Sequence, residues 1–370
     1  MEYSYNFRIY PTPSQIKQIQ QTFGSVRFIY NYYLTKRKEL FEQSHETFNF
    51  YDCAKDLTGL KKELEWLRIP DSTALQSSLK HLDIAFQNFF RGIKKNQQIG
   101  FPKYKSRKKH AKSYESKCTG KSIEIFGNKI KLPKLGFVKC KTSKQVKGKI
   151  LHAVISQRPS GKYYVSVCCS NVDIEPLLKT GKACGIDIGI KDLMILSDGT
   201  KIHNHKYFNK SEKRLVRLQR QLSRKPSDSK RHEKARIKIA RLHEHVANQR
   251  RDTIQKATTK IINNFDIICI EDLNIKGMVR NHRLAKSIND ACFGEIKREL
   301  EYKAKWYGKQ VIKINRFFPS SQTCSRCGFK WEKLKDLSIR SWICPSCKTQ
   351  HDRDINASIN ILKEGLKLVS

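Results

Sequence analysis

Four cysteines near the C-terminal end of the chain have the spacing of a metal site. Cys324 and Cys327 form one Cys-x-x-Cys pair, and Cys344 and Cys347 form a second pair after sixteen intervening residues. Two such pairs place four thiolates around one Zn²⁺ in tetrahedral geometry. Because a four-thiolate shell leaves no position open, this zinc would be structural rather than catalytic. His351 lies four residues beyond the last cysteine and could compete as a ligand.

Three carboxylates form a second candidate site. Asp187 lies in the apolar stretch Gly-Ile-Asp-Ile-Gly, where an unpaired charge is costly. Glu271 ends an apolar run, and Asp354 precedes the final helical segment. Each has a structural explanation on its own: a polar residue in a turn, a strand terminus and a helix N-cap. Together they match a set that binds two Mg²⁺ ions, which clamp the attacking and leaving oxygens during phosphodiester hydrolysis.

Other acidic residues compete for the same roles, because Mg²⁺ accepts any well-placed carboxylate oxygen. The rivals nearest in the chain are Asp192, Asp272 and Asp352. Spacing alone does not separate them from the three residues above.

The charge of the chain indicates a polyanionic partner. The 370 residues include 74 Lys and Arg against 34 Asp and Glu, a formal net charge of +40. Such an excess repels itself unless a polyanion neutralises it, and nucleic acid is the usual one, with an acidic membrane surface as the alternative. There is no apolar run of membrane-spanning length, and the first ten residues lack the apolar stretch of a secretory signal. The sequence therefore predicts a cytoplasmic or nuclear protein without a membrane partner, whose 12 cysteines do not form a disulfide scaffold.

The basic excess is concentrated between residues 91 and 150. This stretch has 19 Lys and Arg and only two acids, Glu115 and Glu124. Aromatic residues alternate with basic ones at 101–109, a mixture that suits base stacking combined with phosphate contact. The candidate nucleic-acid contacts are Lys103, Tyr104, Lys105, Arg107, Lys108 and Lys109.

The first half of the chain predicts one strand, a helical region and then a small antiparallel sheet or barrel. Residues 3–9 alternate as in a half-buried strand, and Ser14 is predicted as the N-cap of a helical region that extends to about Asn96. Five short strand-like segments follow, separated by glycine-containing turns. They are residues 122–125, 129–132, 137–140, 151–157 and 163–169.

The second half predicts an α/β domain. Apolar strands at 184–190, 194–196 and 265–270 alternate with a long polar helical stretch, Lys206–Ile262. Pro226 divides that stretch into a helical hairpin. Residues 206–260 carry 18 Lys and Arg against 5 acids, which favours a face that binds nucleic acid.

Several of these motifs resemble the TnpB family. Three segments are similar to the three split motifs of a RuvC nuclease of the RNase H-like fold: Gly185–Ile190, Ile270–Asn274 and Asp352–Ala357. The four cysteines predict a small zinc-binding domain of the type called a zinc ribbon. This ribbon, together with Phe318–Cys324, which leads into it, is similar to the ribbon that TnpB proteins insert before the third motif. The stretches Tyr5–Ser14 and Gly100–Lys105 also resemble the family, so the likeness spans nearly the whole chain.

The resemblance implies a protein of several α/β and α+β domains. An N-terminal wedge-like β-barrel would contain an inserted helical recognition bundle, and an RNase H-like RuvC nuclease domain with an inserted zinc ribbon would follow. The implied boundaries are 1–12 and 106–175 for the barrel, 13–105 for the helical domain, 181–320 and 351–370 for the nuclease domain, and 321–350 for the ribbon.

The resemblance also implies an activity. TnpB proteins are transposon-encoded, RNA-guided DNA endonucleases that cut next to a short flanking motif by a two-Mg²⁺ RuvC mechanism. By motif position the catalytic, Mg²⁺-binding residues are Asp187, Glu271 and Asp354; Asp354 is preferred over Asp352 because it lies two residues before Asn356. The implied partners are a noncoding guide RNA from the transposon end and a double-stranded DNA target.

Two other functional classes remain open at this point. One is a guided DNA-binding protein without cleavage, which is expected to have lost at least one of the three carboxylates; this chain has all three. The other is a zinc-ribbon accessory factor for transposition or transcription that binds DNA without a guide.

Overall fold

The computed structural model describes residues 1–108, 110–336 and 338–369. Contacts divide the chain into two units, Met1–Asp173 and Ile174–Ser370. Each unit combines helices with a β-sheet, so the predicted mixed α/β, multidomain class is confirmed. The finer domain boundaries stay predictions. Within the described ranges, no helix has both the length and the apolar character needed to cross a bilayer.

The first unit begins with one strand and three helices. These are β1 (Tyr3–Tyr10), α1 (Pro13–Ser44), α2 (Phe50–Glu63) and α3 (Ser72–Lys94). The predicted cap of α1 was wrong: Thr12, not Ser14, is the N-cap, because Pro13 is suited to the first helical position. The Thr12 hydroxyl accepts from the Gln15 amide while the Gln15 side chain accepts from the Thr12 amide. Buried residues from all three helices form one core, including Tyr33, Leu34, Leu57, Leu75 and Leu79.

Six more strands complete the sheet of this unit. They are β2 (Lys112–Lys117), β3 (Glu124–Phe126), β4 (Lys129–Leu132), β5 (Gly136–Lys141), β6 (Lys149–Gln157) and β7 (Tyr163–Ser170). The strand order is β2-β6-β7-β1-β5-β4-β3. Among the described residues the outer strands β2 and β3 do not pair, so the sheet is open where the resemblance implied a closed barrel. Strand β2 was not predicted, because Lys, Ser and Glu make up five of its six residues and the segment lacks an apolar alternation.

The second unit is built on a five-stranded sheet with the order β10-β9-β8-β11-β12, in which β8, β11 and β12 run parallel. Its first part contains β8 (Ala183–Asp187), β9 (Asp192–Leu196), β10 (Lys201–His203), α4 (Tyr207–Ser223), α5 (Lys230–Asn264) and β11 (Ile267–Glu271). Its second part contains α6 (Ile275–Met278), α7 (His282–Ala291), α8 (Phe293–Tyr307), β12 (Gln310–Ile314), β13 (Ser341–Ile343), β14 (Gln350–Asp352) and α9 (Arg353–Lys367). The predicted helical hairpin is the pair α4 and α5, with Pro226 between them.

Helix α9 packs closely on the five-stranded sheet. At two contact points only a glycine leaves enough room for this approach. A Cβ added at Gly185 in β8 would lie 2.0 Å from the carbonyl oxygen of Ser358 and 2.6 Å from the amide nitrogen of Leu362. A Cβ added at Gly365 in α9 would lie 2.3 Å from Sγ of Cys269 in β11. The helix backbone therefore touches the strands directly.

We predict that Gly185→Ala lowers the free energy of unfolding by about 3 kcal/mol or more, because the new methyl group meets backbone atoms that cannot move aside. Gly294→Ala in the same unit is the matched control, since its Cβ would make only an ordinary contact, 3.7 Å from Ile275. Urea denaturation followed by circular dichroism measures both. Equal stability of the two variants would contradict the close approach of α9.

Candidate active site and zinc centre

Two of the predicted carboxylates lie side by side at the carboxyl edge of the five-stranded sheet. Strands β8 and β11 pair in parallel with Ile186 opposite Ile270, so the next residues, Asp187 and Glu271, end neighbouring strands. Burial raises the pKa of Asp187 to about 7, and the charges of Glu271 and Asp354 add to the effect. Burial also raises the pKa of Glu271, although the Ser320 hydroxyl donates a hydrogen bond to its Oε1 at 2.5 Å.

The third carboxylate, Asp354, reaches this edge from α9, where it lies in the first turn. Its charge acts on Asp187 strongly enough to raise the pKa of that residue. A guanidinium nitrogen of Arg340 lies 3.5 Å from Oδ1 of Asp354. The neighbouring Arg353 is buried and donates to the carbonyl oxygens of Asp336 and Ile339, at 2.5 and 3.3 Å. The structure thus brings the three predicted carboxylates together.

Asp352, the main rival of Asp354, has a different role. Its Oδ1 accepts hydrogen bonds from the backbone amides of Asp354 and Ile355, at 3.0 and 3.1 Å, so Asp352 is the N-cap of α9. Its Oδ2 lies 2.7 Å from the ammonium group of Lys201. The N-cap explanation considered for Asp354 therefore applies to Asp352 instead.

The other two rivals also have basic partners. Asp272 contacts Lys297 at 2.6 Å and Arg316 at 2.8 Å, and these cations lower its pKa. Asp192 lies 2.6 Å from Nδ1 of His203. Each rival is thus held in a structural contact.

The four predicted cysteines lie together in the ribbon. All four Sγ atoms are within 4.8 Å of one another, and the Cys324–Cys347 and Cys327–Cys344 pairs are each 3.6 Å apart. Four sulfurs bonded tetrahedrally to one Zn²⁺ at about 2.3 Å lie about 3.8 Å apart, so this arrangement fits the ion. In the described part of the chain, this is the one group of three or more His, Cys, Asp or Glu side chains whose ligand atoms all lie within 4.8 Å of one another. The three carboxylates are spread more widely.

His351 is not a member of the four-thiol group. Its Nε2 lies 3.1 Å from Sγ of Cys324, within hydrogen-bonding distance, and its ring packs against Trp342 with centroids 4.7 Å apart. Burial lowers the pKa of the imidazole. His351 therefore contacts a ligand sulfur from outside the cluster.

Sequence reasoning missed the side chains that attach the ribbon to α9. Asn356 is buried; it accepts from the Ser325 amide and donates to the Thr323 carbonyl, both at 2.8 Å. Asn360 is also buried and donates to the carbonyl oxygens of Ser320 and Thr323. The signal available in the sequence was two asparagines spaced by four residues on the apolar face of a helix.

The predicted basic segment is anchored on α1. The ammonium group of Lys105 lies 3.8 Å from the centre of the Tyr30 ring, and its backbone exchanges two hydrogen bonds with Asn31, at 2.8 and 2.9 Å. The hydroxyl of Tyr104 lies 3.1 Å from that of Thr35. The side chain of Lys105 therefore makes a structural contact with Tyr30. The remaining predicted contacts are exposed at Lys103, Arg107 and Lys108, while Lys109 lies outside the described residues.

Three family models match the chain. Residues 166–282 match a model described as "Probable transposase", and residues 293–361 match "Cas12f1-like, TNB domain". Residues 1–46 match "Helix-turn-helix domain", although the structure has β1 and the single helix α1 over that range.

Two relatives align over almost the entire chain, and both are provisionally named RNA-guided DNA endonucleases. The protein from Streptomyces pristinaespiralis is 36% identical, with 98% of this chain and 89% of the relative covered. The InsQ protein of Escherichia coli K12 is 34% identical, with 98% and 92% covered. The chain belongs to the TnpB family. This TnpB chain also resembles, in fold alone, the Cas12f1 protein of a Cas12f1–sgRNA–target DNA complex, with 15% identity, a TM-score of 0.59 and 98% of both chains covered.

We predict that Cys344→Ser lowers the zinc content of this TnpB protein below one ion per chain and destabilises the second unit. The reason is that metal binding and folding of the ribbon are coupled. Metal analysis of the purified protein measures it. Cys118→Ser, which changes a partly exposed cysteine outside the cluster, should leave the zinc content unchanged. Full zinc occupancy in the Cys344 variant would contradict the four-thiolate site.

A second prediction concerns pH. Because the folded protein raises the pKa of Asp187 to about 7, it binds more protons than the unfolded chain between pH ~4 and ~7, and its stability falls as the pH rises through that window. Without added Mg²⁺, Asp187→Asn should therefore be more stable than the wild type at pH 8, by about 1–3 kcal/mol, and equal to it near pH 4.

The control for this prediction is Asp272→Asn. Because cations lower the pKa of Asp272 in the folded protein, this variant should be less stable than the wild type at pH 8. Urea denaturation at several pH values provides the measurement. A stability difference between Asp187→Asn and the wild type that does not change with pH would contradict the raised pKa of Asp187 in the folded protein.

Proposed function

We propose that this protein is an RNA-guided DNA endonuclease whose nuclease site consists of Asp187, Glu271 and Asp354. The observation that supports this most is the position of the three carboxylates at one sheet edge, where burial and mutual repulsion raise the pKa of Asp187 to about 7. A group of acids that destabilise one another in this way is expected to bind cations. Asp354 has a basic neighbour, Arg340, at 3.5 Å, whereas the rival acids have closer basic partners, at 2.6–2.7 Å.

The donor set suits Mg²⁺, since hard carboxylate oxygens are the ligands that this ion prefers. When bound, two Mg²⁺ ions would supply an activated water and stabilise the attacking and leaving oxygens of the phosphodiester. The chain contributes the positions of the ligands. Two parallel strands present Asp187 and Glu271, Ser320 orients Glu271 by its hydrogen bond, and the first turn of α9 presents Asp354.

The zinc centre acts indirectly in this proposal. Its four thiolates fill the coordination shell, so the ion would stabilise the ribbon without contacting a substrate. The ribbon in turn is tied to α9 through Asn356 and Asn360. Zinc therefore stabilises the segment that precedes Asp354.

The proposed partners are a noncoding guide RNA from the transposon end and a double-stranded DNA target beside a short flanking motif. The net charge of +40 supports a ribonucleoprotein, because a permanently bound polyanion would neutralise it. The relatives' names support guidance by RNA. In this scheme guide pairing reads the sequence, and the protein contacts backbone and shape.

We predict that Asp187→Ala, Glu271→Ala and Asp354→Ala each abolish cleavage of a plasmid target, while guide-dependent DNA binding survives. Loss of one ligand misplaces the ions but leaves the nucleic-acid surfaces intact. Asp352→Asn is the matched control, since asparagine also caps helices and this residue's other contact is with Lys201. It should cut at a rate close to that of the wild type. Cleavage by all three alanine variants would refute the nuclease site.

The protein for this experiment is co-expressed with the noncoding RNA of its own element, and the RNA that copurifies is sequenced. A guided enzyme retains one discrete RNA and loses target binding after ribonuclease treatment. An unguided DNA-binding factor would bind equally well after that treatment. A guided protein without nuclease activity would bind the target and leave it uncut in the wild type.

A further inference from the structure

An exposed aromatic ring lies beside the candidate nuclease site. Strands β11 and β12 pair in parallel with Glu271 opposite Ile314, so both strands end at the same edge of the five-stranded sheet. Phe317 follows three residues after β12 ends, and Ser320, three residues further on, donates to Glu271 at 2.5 Å. The segment 315–320 therefore lies at the edge that carries the carboxylates. Within this segment Phe317 is 87% exposed.

Hydrogen bonds hold the backbone on both sides of this ring. The Phe317 amide donates to Oδ1 of Asn315 at 2.9 Å, and the Phe318 amide donates to the Asn315 carbonyl at 3.1 Å. Arg316 donates to the backbone carbonyl of Asp272 at 2.9 Å and to its carboxylate at 2.8 Å. The Phe318 ring packs against an apolar cluster of the sheet and α9. The exposed position of Phe317 is therefore set by the residues around it.

The surroundings of this ring suit a nucleotide better than a protein partner. In the segment 315–320, Asn315 and Arg316 are polar and Phe318 packs inward, so Phe317 is a single exposed ring. A stable protein interface buries about 800 Å² of each partner, far more than one ring provides. One base face covers one ring, and the guanidinium of Arg316, whose side chain is 45% exposed, suits a phosphate of the same strand.

We propose that Phe317 stacks on an unpaired base of the displaced DNA strand and so positions that strand at the carboxylates, an inference that rests on the proposed function. Pairing between a guide and one DNA strand displaces the other strand and leaves its bases unpaired. A single strand offers base faces to an aromatic ring, whereas a duplex hides them. Phe317 takes no part in bond cleavage; it is a positioning residue.

The contact is tested by photocrosslinking of the guide-loaded protein that carries Asp187→Ala, so that DNA is bound and not cut. The target contains 5-iododeoxyuridine, which crosslinks to aromatic rings stacked on it, at successive positions of the displaced strand. We expect a crosslinked peptide containing Phe317 at one position, lost in Phe317→Leu and kept in Phe317→Tyr. Phe329→Leu is the control, since Phe329 is an exposed phenylalanine of the ribbon, and should leave the crosslink unchanged. No crosslink at Phe317 from any position overturns the proposal.

Cleavage rates separate positioning from a structural role. With guide-loaded protein in excess over target, Phe317→Leu should cut the displaced strand about tenfold more slowly, because a base–ring contact is lost. Target affinity should not change, since guide pairing provides it, and the urea midpoint should not change, since the ring is exposed. Phe317→Tyr should restore the rate. An unchanged rate in Phe317→Leu, or a loss that tyrosine does not restore, overturns the proposal.

Removal of the base completes the test. On a target with an abasic nucleotide at the crosslinked position, the wild type should be as slow as Phe317→Leu, and the variant should lose nothing further. Independent losses from the two changes overturn the stacking contact. A guide RNA that carries 5-iodouridine is compared in the same way, and crosslinks at Phe317 to RNA alone overturn the assignment to DNA. A wild-type complex that crosslinks at Phe317 yet never cuts DNA would refute the proposed function and leave the stacking contact standing.

Discussion

The contact between α9 and the five-stranded sheet is the constraint on which the second unit depends. Gly185 and Gly365 let the helix approach β8 and β11 without intervening side chains, and that approach brings Asp354 within electrostatic range of Asp187. The same helix uses the buried Asn356 and Asn360 to hold the ribbon. One helix therefore joins the four-cysteine ribbon to the candidate nuclease site, and a change in its position would disturb both.

The acids at this edge differ in their electrostatic partners. Asp352 and Asp272 each face a cation within 3 Å, which stabilises their charged forms. Asp187 instead faces two other carboxylates, and its charged form is disfavoured by them and by burial. Carboxylates with strongly raised pKa values are concentrated at functional sites. Burial combined with local repulsion is thus a better guide to the candidate site than the number of acids nearby.

Patterns confined to a few residues could be predicted from the sequence. The structure contains three such features: a strand where residues alternate at Tyr3–Tyr10, a break between two helices at Pro226, and a cluster formed by the paired cysteines. Features that depend on distant partners could not be predicted. Strand β2 forms from a lysine-rich segment because β6 is available to pair with it. The sheet is open because its outer strands, β2 and β3, do not pair with each other in the described part of the chain. Likewise, Phe126 and Phe137 become neighbours only through strand register.

The same distinction applies to the basic residues. The net charge of +40 predicts a polyanion but does not say which cations bind it. Some have structural partners: Lys105 lies over Tyr30, and Lys309 is buried against Asp266 at 2.5 Å. Others, such as Lys129 opposite Lys139, stand where they reduce stability. Because folding alone does not favour that placement, cations of the second kind are better candidates for contacts with a polyanion than lysines chosen by their density along the chain.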